Sequence, residues 1–284
     1  MGTSPRCDLL LALVAAVVLT TPSISAQSKP ALELLLDRMG AYLTEYETLL
    51  SSVVAEERFD QSIYGNRGRS SALLESEVAF YRLPGGAEWL GFRDVKRVNW
   101  KPVRTSGPSI GEVLTSAAGD MTKAQAIAKE SARHNLGMPR TINVPTAPLE
   151  IIHPSHRQAH RYELQGEETV RGTRTARIAF TETARPTLVR EPSGQNLVSN
   201  GRIWVEPLSG TVWRVEWIYQ AENRSPNAPP APRLRVDFER HEELGIMVPK
   251  LMTEVFSVQV GRGEGRASYT KFRRFGTSAR IVPQ

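Results

Sequence analysis

The segment GRIWVEPLSGTVWRVEWIY, residues 201–219, is the stretch that indicates the fold most directly. After the turn at Pro207–Gly210 comes a predicted strand whose two faces differ. One face carries Trp213, Val215, Trp217 and Tyr219, and the other carries Arg214 and Glu216. A period of two is typical of a strand that buries one face and exposes the other. The segment therefore predicts an antiparallel hairpin in a sheet that is covered on one side.

The same alternation extends in both directions from this hairpin. Apolar residues alternate with polar ones at 176–180 and 234–238, and turn signals fall at 168–172, 243–245 and 261–265. Three earlier strands are predicted at about 52–63, 73–83 and 89–98, and residues 223–232 are predicted to be a proline-rich surface loop. Together these patterns predict an antiparallel sheet of about nine strands.

Helical patterns occupy two places in the chain. From Leu32 to Leu50 apolar residues recur at three- and four-residue steps, which predicts an amphipathic N-terminal helix. A helical and proline-rich insertion spans about 107–155, with a second helix following Asp120. The predicted fold class is α+β: a long curved antiparallel sheet, or half-open β-barrel, with the N-terminal helix and the insertion packed on one side.

The first 26 residues have the order of a secretory signal. Arg6 precedes an apolar run at 9–19, and Ile24-Ser-Ala26 supplies small residues for cleavage. The run is too short to span a bilayer, so no stable membrane span is expected after cleavage. We therefore expect a periplasmic or secreted protein in which residues 27–284 form one domain.

Cysteine and charge narrow the possible chemistry. Cys7 is the one cysteine in the chain and lies in the signal, so the mature protein has no disulfide and no thiolate. The formal net charge is +6, but Arg and Lys are scattered and no nucleic-acid motif accompanies them. We expect no nucleic-acid partner, although a basic surface favours phosphate-rich head groups or acidic glycans.

Two segments carry residue types that are used in catalysis. Gly107-Pro-Ser109-Ile-Gly111 matches the G-x-S-x-G elbow of hydrolases, but polar residues precede it where a buried strand is needed, and Ser109 is better interpreted as a helix start. His153, His156 and His160 could face a zinc ion on a continuous helix, but Pro154 disfavours that geometry. We expect these histidines to be exposed in a loop.

Adjacent carboxylates and nucleotide loops add little. The pairs Glu56-Glu57, Glu167-Glu168 and Glu242-Glu243 place their members on opposite faces of a strand, so the two members of a pair need not meet, whereas a glycosidase needs two carboxyls about 5 to 9 Å apart across a cleft. No Walker loop and no G-x-G-x-x-G turn is present, so no cofactor is expected and no enzyme activity is predicted.

The aromatic residues offer the best candidate binding site. Trp213, Trp217 and Tyr219 share one face of a predicted strand, and Phe238 lies on another. Core packing accounts for each residue singly. A curved sheet with few helices can also leave an apolar cavity, which would suit an acyl chain or another lipophilic ligand.

Several segments resemble an uncharacterised family of exported bacterial proteins: residues 84–94, 130–137, 140–145, 201–210 and 267–275. The hairpin at 201–216 is also similar to one in the lipoprotein-carrier superfamily of the LolA and LolB type. That resemblance implies a half-open antiparallel barrel closed by helices, in which carriers hold lipoprotein acyl chains. This chain departs from the carriers in its 107–155 insertion and its loop at 225–232.

The leading hypothesis is a non-enzymatic exported carrier that holds a lipophilic ligand or a lipoprotein acyl chain. Trp213, Trp217, Tyr219 and Phe238 are its candidate ligand-binding residues. Two alternatives remain: an interaction module that docks an envelope protein, and a serine or zinc hydrolase that uses Ser109 or the histidines.

Overall fold

The computed structural model describes residues 25–66, 68–82, 89–103, 107–115, 121–137, 142–191, 193–225, 227–228, 230–258 and 261–275. Residues 1–24 of the predicted signal lie outside these ranges. Its last two residues begin the first helix, α1 (Ser25–Leu50).

Across the described residues, twelve strands form one antiparallel sheet. They are β1 (Val53–Gly65), β2 (Gly68–Arg82), β3 (Trp89–Val98), β4 (Lys101–Pro102), β5 (His160–Val170), β6 (Thr173–Glu182), β7 (Val189–Arg190), β8 (Asn196–Val205), β9 (Val212–Ala221), β10 (Arg233–His241), β11 (Ile246–Val258) and β12 (Gly261–Arg274). The count exceeds the predicted nine partly because β4 and β7 have two residues each, too few to show any period.

The sheet is open, and its order is β4-β3-β2-β1-β12-β11-β10-β9-β8-β6-β5, with β7 beside β8. The hairpin at 201–219 is β8 and β9, as its sequence predicts, with Gly201 opposite Trp217. The first strand pairs with the last, so that Val53 lies opposite Arg274 in the middle of the sheet. The proline-rich segment between Ala221 and Arg233 connects β9 to β10, as expected.

One turn was placed wrongly from the sequence. The glycine-rich residues 261–265 lie inside β12, where a turn was predicted. Gly263 lies opposite Phe256, and a Cβ there would fall 2.1 Å from the ring of that residue. The strand uses glycine to make room for a neighbouring ring, which is a known role of glycine inside a sheet.

Helix α1 covers one face of the sheet. Its apolar stripe is buried, and this stripe packs in the main core with side chains from nearly every long strand. The buried members of the stripe are Leu35, Leu36, Met39, Leu43, Tyr46 and Leu50. The three- and four-residue spacing thus identified both the helix and the face that it buries.

The insertion is divided between the two faces. The short helix α4 (Ala147–Ile151) joins α1 on the main core. In contrast, α2 (Ile110–Thr115) and α3 (Met121–Ala132) pack on a second cluster that includes Ala79 and Phe92. Because Ala79 alternates with Val78 and Phe80 of the main core, this cluster lies on the opposite face of the sheet. The sequence predicted that the N-terminal helix and the insertion pack on one side of the sheet. This prediction was wrong for α2 and α3, which lie on the face opposite to α1 and α4.

Among the described helices, none combines the length and the hydropathy that a membrane crossing requires.

Candidate functional site

A cavity of about 400 Å³ lies between α1 and the ends of β10 and β11 where these two strands are joined by their turn. We call it the α1 cavity. Helix α1 contributes one wall, and the other wall comes from the β8–β9 turn and from β10 and β11. The volume falls within the range of about 300–1,000 Å³ that is common for small-molecule sites. Its lining residues are Arg38, Ala41, Tyr42, Glu45, Tyr46, Leu49, Ser209, Thr211, Arg240, Gly245, Ile246 and Met247.

Two tyrosines one helical turn apart form the apolar wall of the α1 cavity. The rings of Tyr42 and Tyr46 stack with centroids 5.3 Å apart and planes 13° apart. Burial raises the pKa of both phenols far above the usual value, so both are neutral at physiological pH. Tyr46 also meets Phe238 edge-on at 6.5 Å, which links the cavity wall to the core.

Two arginines line the α1 cavity. The Nη1 group of Arg38 donates a hydrogen bond to the carbonyl oxygen of Pro207, 2.8 Å away, and so fixes α1 against the β8–β9 turn. Arg240 is exposed on β10, and its charge lowers the pKa of Tyr42 against the larger effect of burial. The cavity therefore combines an apolar wall with cationic side chains and one carboxylate, Glu45.

Polar contacts hold the outer side of α1. Arg157 donates to Glu33 and Asp37 of the helix, with both distances 2.5 Å. Deeper in the protein, the ring nitrogen Nε2 of His153 lies 3.5 Å from the fully buried carboxylate of Glu47. Both His153 and Arg157 belong to the region of a 3₁₀ helix at Pro154–Ala159. Apart from these contacts and Arg38, the apolar stripe provides most of the attachment of α1.

None of the four residues proposed from the sequence lines the α1 cavity. Trp217 and Phe238 are buried in the core, at 1% and 2% exposure, while Trp213 and Tyr219 are partly buried against it. Trp217 contacts Tyr219 with ring centroids 4.8 Å apart. The structure thus brings the four residues to one face, and Phe238 contacts the cavity through Tyr46.

The tryptophans carry an unusual feature. Within the part of the chain that the structure describes, the indole N–H groups of Trp213 and Trp217 are buried and form no hydrogen bond. The buried Tyr162 hydroxyl on β5 is in the same position. Tyr162, Phe180, Gly201 and Trp217 lie in register across β5, β6, β8 and β9. Two buried donors, the Trp217 indole and the Tyr162 hydroxyl, therefore lie at the two ends of one row across the sheet.

Ser109 is a helix cap. Its Oγ accepts a hydrogen bond from the backbone N–H of Glu112 at 3.3 Å, and the Glu112 carboxylate accepts from the N–H of Ser109 at 2.9 Å. This reciprocal arrangement is a capping box. The expectation that Ser109 starts a helix is confirmed, and its hydroxyl has a structural partner.

The sequence predicted that the three histidines are exposed in a loop, and this prediction was wrong. His153 and His160 are both buried, at 7% exposure, and the segment between them is the 3₁₀ helix. His156 contacts Glu150 at 3.0 Å, whereas the Nδ1 of His160 lies 3.0 Å from the carbonyl oxygen of His156. Separate partners thus hold the rings, and the described residues contain no group of three or more side chains that could hold a metal ion.

The adjacent glutamates of β1 and β5 lie on strands, as predicted, whereas Glu242 and Glu243 lie in a turn. Glu57 is buried on the core side of β1 and pairs with Arg93, while Glu56 is exposed and pairs with Lys271. On β5, Glu168 accepts a hydrogen bond from the indole of Trp204 at 2.8 Å. These carboxylates have structural partners, and Glu242 and Glu243 are exposed in the β10–β11 turn.

Four residues of the α1 cavity were not expected from the sequence to be site residues: Arg38, Tyr42, Tyr46 and Arg240. Tyr46 was recognised only as part of the apolar stripe of α1. The signal that was present is the i, i+4 spacing of Arg38, Tyr42 and Tyr46, which places them along one side of the helix.

No protein-family model and no curated protein matches the chain. Among solved structures, it is similar to a DUF1329 family protein from Desulfovibrio piger, at a TM-score of 0.39 and 12% identity, over 87% of this chain and 95% of that one. It is similar to a LolA superfamily protein from Nitrosomonas europaea, at 0.32 and 11%, over 86% and 94%. It is also similar to the lipoprotein LppX from Mycobacterium tuberculosis, at 0.29 and 13%, over 86% and 95%. The superfamily that the 201–216 hairpin resembles is thus among the similar structures, at values too low to transfer a function.

Proposed function

We propose that this chain is an exported, non-enzymatic binding protein that holds an acyl chain or another lipophilic group in the α1 cavity. The observation that supports the proposal is the cavity itself, with stacked Tyr42 and Tyr46 as its wall. The basic side chains Arg38 and Arg240 suit an anionic head group beside the buried chain. The signal-like residues 1–26 are the basis for proposing export.

The driving force is the transfer of apolar surface out of water. Each methylene that enters the cavity contributes about 0.8 kcal/mol, so a short acyl chain supplies several kcal/mol. Part of that gain is offset by the movement of α1 that a longer chain requires. A carrier needs this balance, because a ligand that is held too tightly is not released.

The four aromatic residues Trp213, Trp217, Tyr219 and Phe238 form the deeper part of the proposed site. If α1 moves outward, a chain that enters past Tyr46 reaches Phe238 first. The buried indole N–H groups of Trp213 and Trp217 are then donors for an ester or amide carbonyl oxygen of the ligand. Trp213 and Trp217 lie four positions apart along β9, roughly 13 Å, so one bound carbonyl would supply an acceptor to only one of the two groups.

The experiment is uptake of a fluorescent C16 fatty-acyl probe by the full mature chain, together with native mass spectrometry of gently purified protein. Ala41→Trp fills the α1 cavity from its exposed rim without removing any core atom. Thr48→Trp is the matched control, because Thr48 is exposed on the same helix and does not line the cavity. We expect Ala41→Trp to weaken probe binding at least tenfold and Thr48→Trp to leave it unchanged.

Equal binding by both variants would place the ligand elsewhere. A wild-type protein that carries no lipid and takes up no probe would rule out the carrier function. The remaining hypothesis would then be an interaction module that docks an envelope protein through its surface.

A further inference from the structure

A second surface differs from the α1 cavity in its chemistry. It lies on β1, β2, β3 and β12, on the face of the sheet opposite to α1. It is a groove of about 580 Å³ lined almost entirely by charged side chains, among them Arg58, Arg97 and Lys271. We call it the outer groove. The proposed carrier function makes no use of it.

Trp100 stands beside this groove at the tip of the β3–β4 turn. Its side chain is 61% exposed, although a tryptophan in water leaves a large apolar area unburied. The guanidinium of Arg58, which lines the groove, sits over the Trp100 ring at 5.2 Å from its centroid. The ring is therefore a flat platform at the groove edge, with one charged side chain resting on it.

The backbone holds Trp100 in this position at a cost. Asn99 and Trp100 have φ values of +49° and +67°, a region that bulky residues rarely adopt. Asn99 fixes the turn by two bonds to Leu73: its N–H donates to the Leu73 carbonyl at 2.8 Å, and its Oδ1 accepts from the Leu73 N–H at 2.9 Å. Glycine normally follows asparagine in such a turn. A tryptophan at this position has a strained backbone and a largely exposed side chain. Strained residues of this kind cluster at functional sites.

The charges in the groove are arranged in pairs. Lys271 contacts Glu56 at 3.0 Å, and Arg97 contacts Glu75 at 3.0 Å. Arg273 likewise pairs with Glu77. Each pair presents a donor and an acceptor side by side on the surface of the sheet. Because the two signs are interleaved, the groove has no strong field of one sign, which argues against a polyanion as the ligand.

We propose that the outer groove binds an oligosaccharide, with Trp100 as its stacking platform. A sugar ring has an apolar C–H face that packs on an indole, and hydroxyl groups that both donate and accept hydrogen bonds at its edge. The interleaved carboxylates and cationic groups match those hydroxyls, whereas a lipid or a nucleic acid uses only part of this surface. Because Arg58 already covers one face of the indole, the sugar packs on the other face.

The test is isothermal titration of the full mature chain with three hexasaccharides: chitohexaose, cellohexaose and a heparin-derived hexasaccharide. We expect wild-type protein to bind at least one of the two uncharged sugars. Trp100→Gly should weaken that binding at least tenfold. The same change restores the residue type that the turn geometry favours, so the variant is expected to fold normally.

Tyr64→Ala is the matched control. Tyr64 is also an exposed aromatic residue, with 43% exposure, and the guanidinium of Arg69 lies over its ring at 5.6 Å. It does not line the outer groove. We expect Tyr64→Ala to bind the sugar like the wild type.

Three outcomes would overturn the proposal. In the first, the wild-type protein binds none of the sugars at millimolar concentration. In the second, Trp100→Gly binds as well as the wild type. In the third, only the heparin fragment binds, which would indicate simple attraction between a polyanion and a basic protein. None of these outcomes depends on lipid uptake at the α1 cavity.

Discussion

Arg93 and Glu57 form a two-point ion pair that is closed off from water, with side-chain exposures of 2% and 0%. The Nη2 group of Arg93 donates to Glu57 Oε1 at 2.8 Å and to the carbonyl oxygen of Asn143 at 2.9 Å. The guanidinium also lies over the ring of Phe59, 4.7 Å from its centroid. The pair thus joins β1 and β3 to the segment that follows α3.

Removing one partner of this pair should be far more damaging than removing both. A single Glu57→Gln change leaves a buried, uncompensated guanidinium and is expected to cost about 3–5 kcal/mol of unfolding free energy. The double variant Glu57→Met with Arg93→Met should recover most of that loss, because neither charge then needs to be desolvated. Urea unfolding of Glu57→Met, Arg93→Met and the double variant gives the coupling energy, because all three carry the same substitutions. Additive losses would show that the two charges act independently.

The glycine at the β8–β9 turn should be irreplaceable. Gly210 has a φ of +75°, and a Cβ at this position would fall 2.3 Å from the backbone carbon and oxygen of Arg38. Gly210→Ala must therefore push the turn away from α1, and we expect a loss of several kcal/mol, beyond the roughly 1–2 kcal/mol of the left-handed backbone alone.

Gly172→Ala is the matched comparison for that backbone term. Gly172 has a φ of +84°, and a Cβ there would meet nothing within 4 Å. Its thermal unfolding should show the backbone cost only. If Gly210→Ala and Gly172→Ala have the same melting temperature, the close contact between the turn and α1 does not contribute to stability.

His160 should make the protein less stable in mild acid. Burial lowers the pKa of His160, against smaller opposing effects of its bond to His156 and of the nearby Glu182 carboxylate. The unfolded chain then binds a proton more readily than the folded one, so stability falls as the pH drops below about 6.5. His160→Phe should flatten this part of the stability profile, as measured by urea unfolding between pH 7 and pH 5. An unchanged slope would assign the acid sensitivity to other groups.

Trp217→Phe separates the role of the indole N–H from the role of the ring. Within the described residues the N–H has no acceptor, so no hydrogen bond is lost, but the smaller ring leaves a cavity in the core and is expected to cost about 1–3 kcal/mol of stability. Binding of the C16 probe should nevertheless weaken several-fold if a ligand carbonyl accepts from this group. Leu234→Val, a small change opposite Trp217 in the core, controls for altered packing. Equal binding by Trp217→Phe and wild type would make Trp217 a core residue only.

Arg157 should control access to the α1 cavity. Its contacts to Glu33 and Asp37 are partly exposed, so Arg157→Gln is expected to change stability by less than about 1 kcal/mol. Uptake of the C16 probe should become faster, because α1 is held by fewer contacts while the cavity itself is intact. Stopped-flow fluorescence measures the rate directly. An unchanged rate in Arg157→Gln would mean that α1 does not move during uptake.

The sequence identified the elements whose periods are long and regular. The stripe from Leu35 to Leu50 predicted α1, and the alternation around Trp217 predicted β9 with its buried face. It failed at Gly263, because glycine in a strand cannot be told from glycine in a turn unless the ring of Phe256 beside it is known. It also failed for the histidines, since the burial of His153 depends on Glu47, more than a hundred residues earlier in the chain.

The candidate site was predictable only in its chemistry. An aromatic-lined apolar site was expected, but the α1 cavity is assembled from one helix, one turn and two strands that are distant in the chain. Trp100 escaped notice for a similar reason. Its exposure follows from the backbone geometry of the β3–β4 turn, and no pattern of neighbouring residues records that geometry.

The pairing of β1 with β12 has a consequence for how the protein acquires its structure during synthesis. The strand that begins at Val53 acquires its second neighbour only when residues 261–274 have left the ribosome. Until then β1 has an open edge, which invites pairing with other chains. Pairing across such a sequence separation is also slow, because a long loop must close first. The sheet therefore stays incomplete until residues 261–274 are available, and the edge of β1 has to be protected from aggregation up to that point.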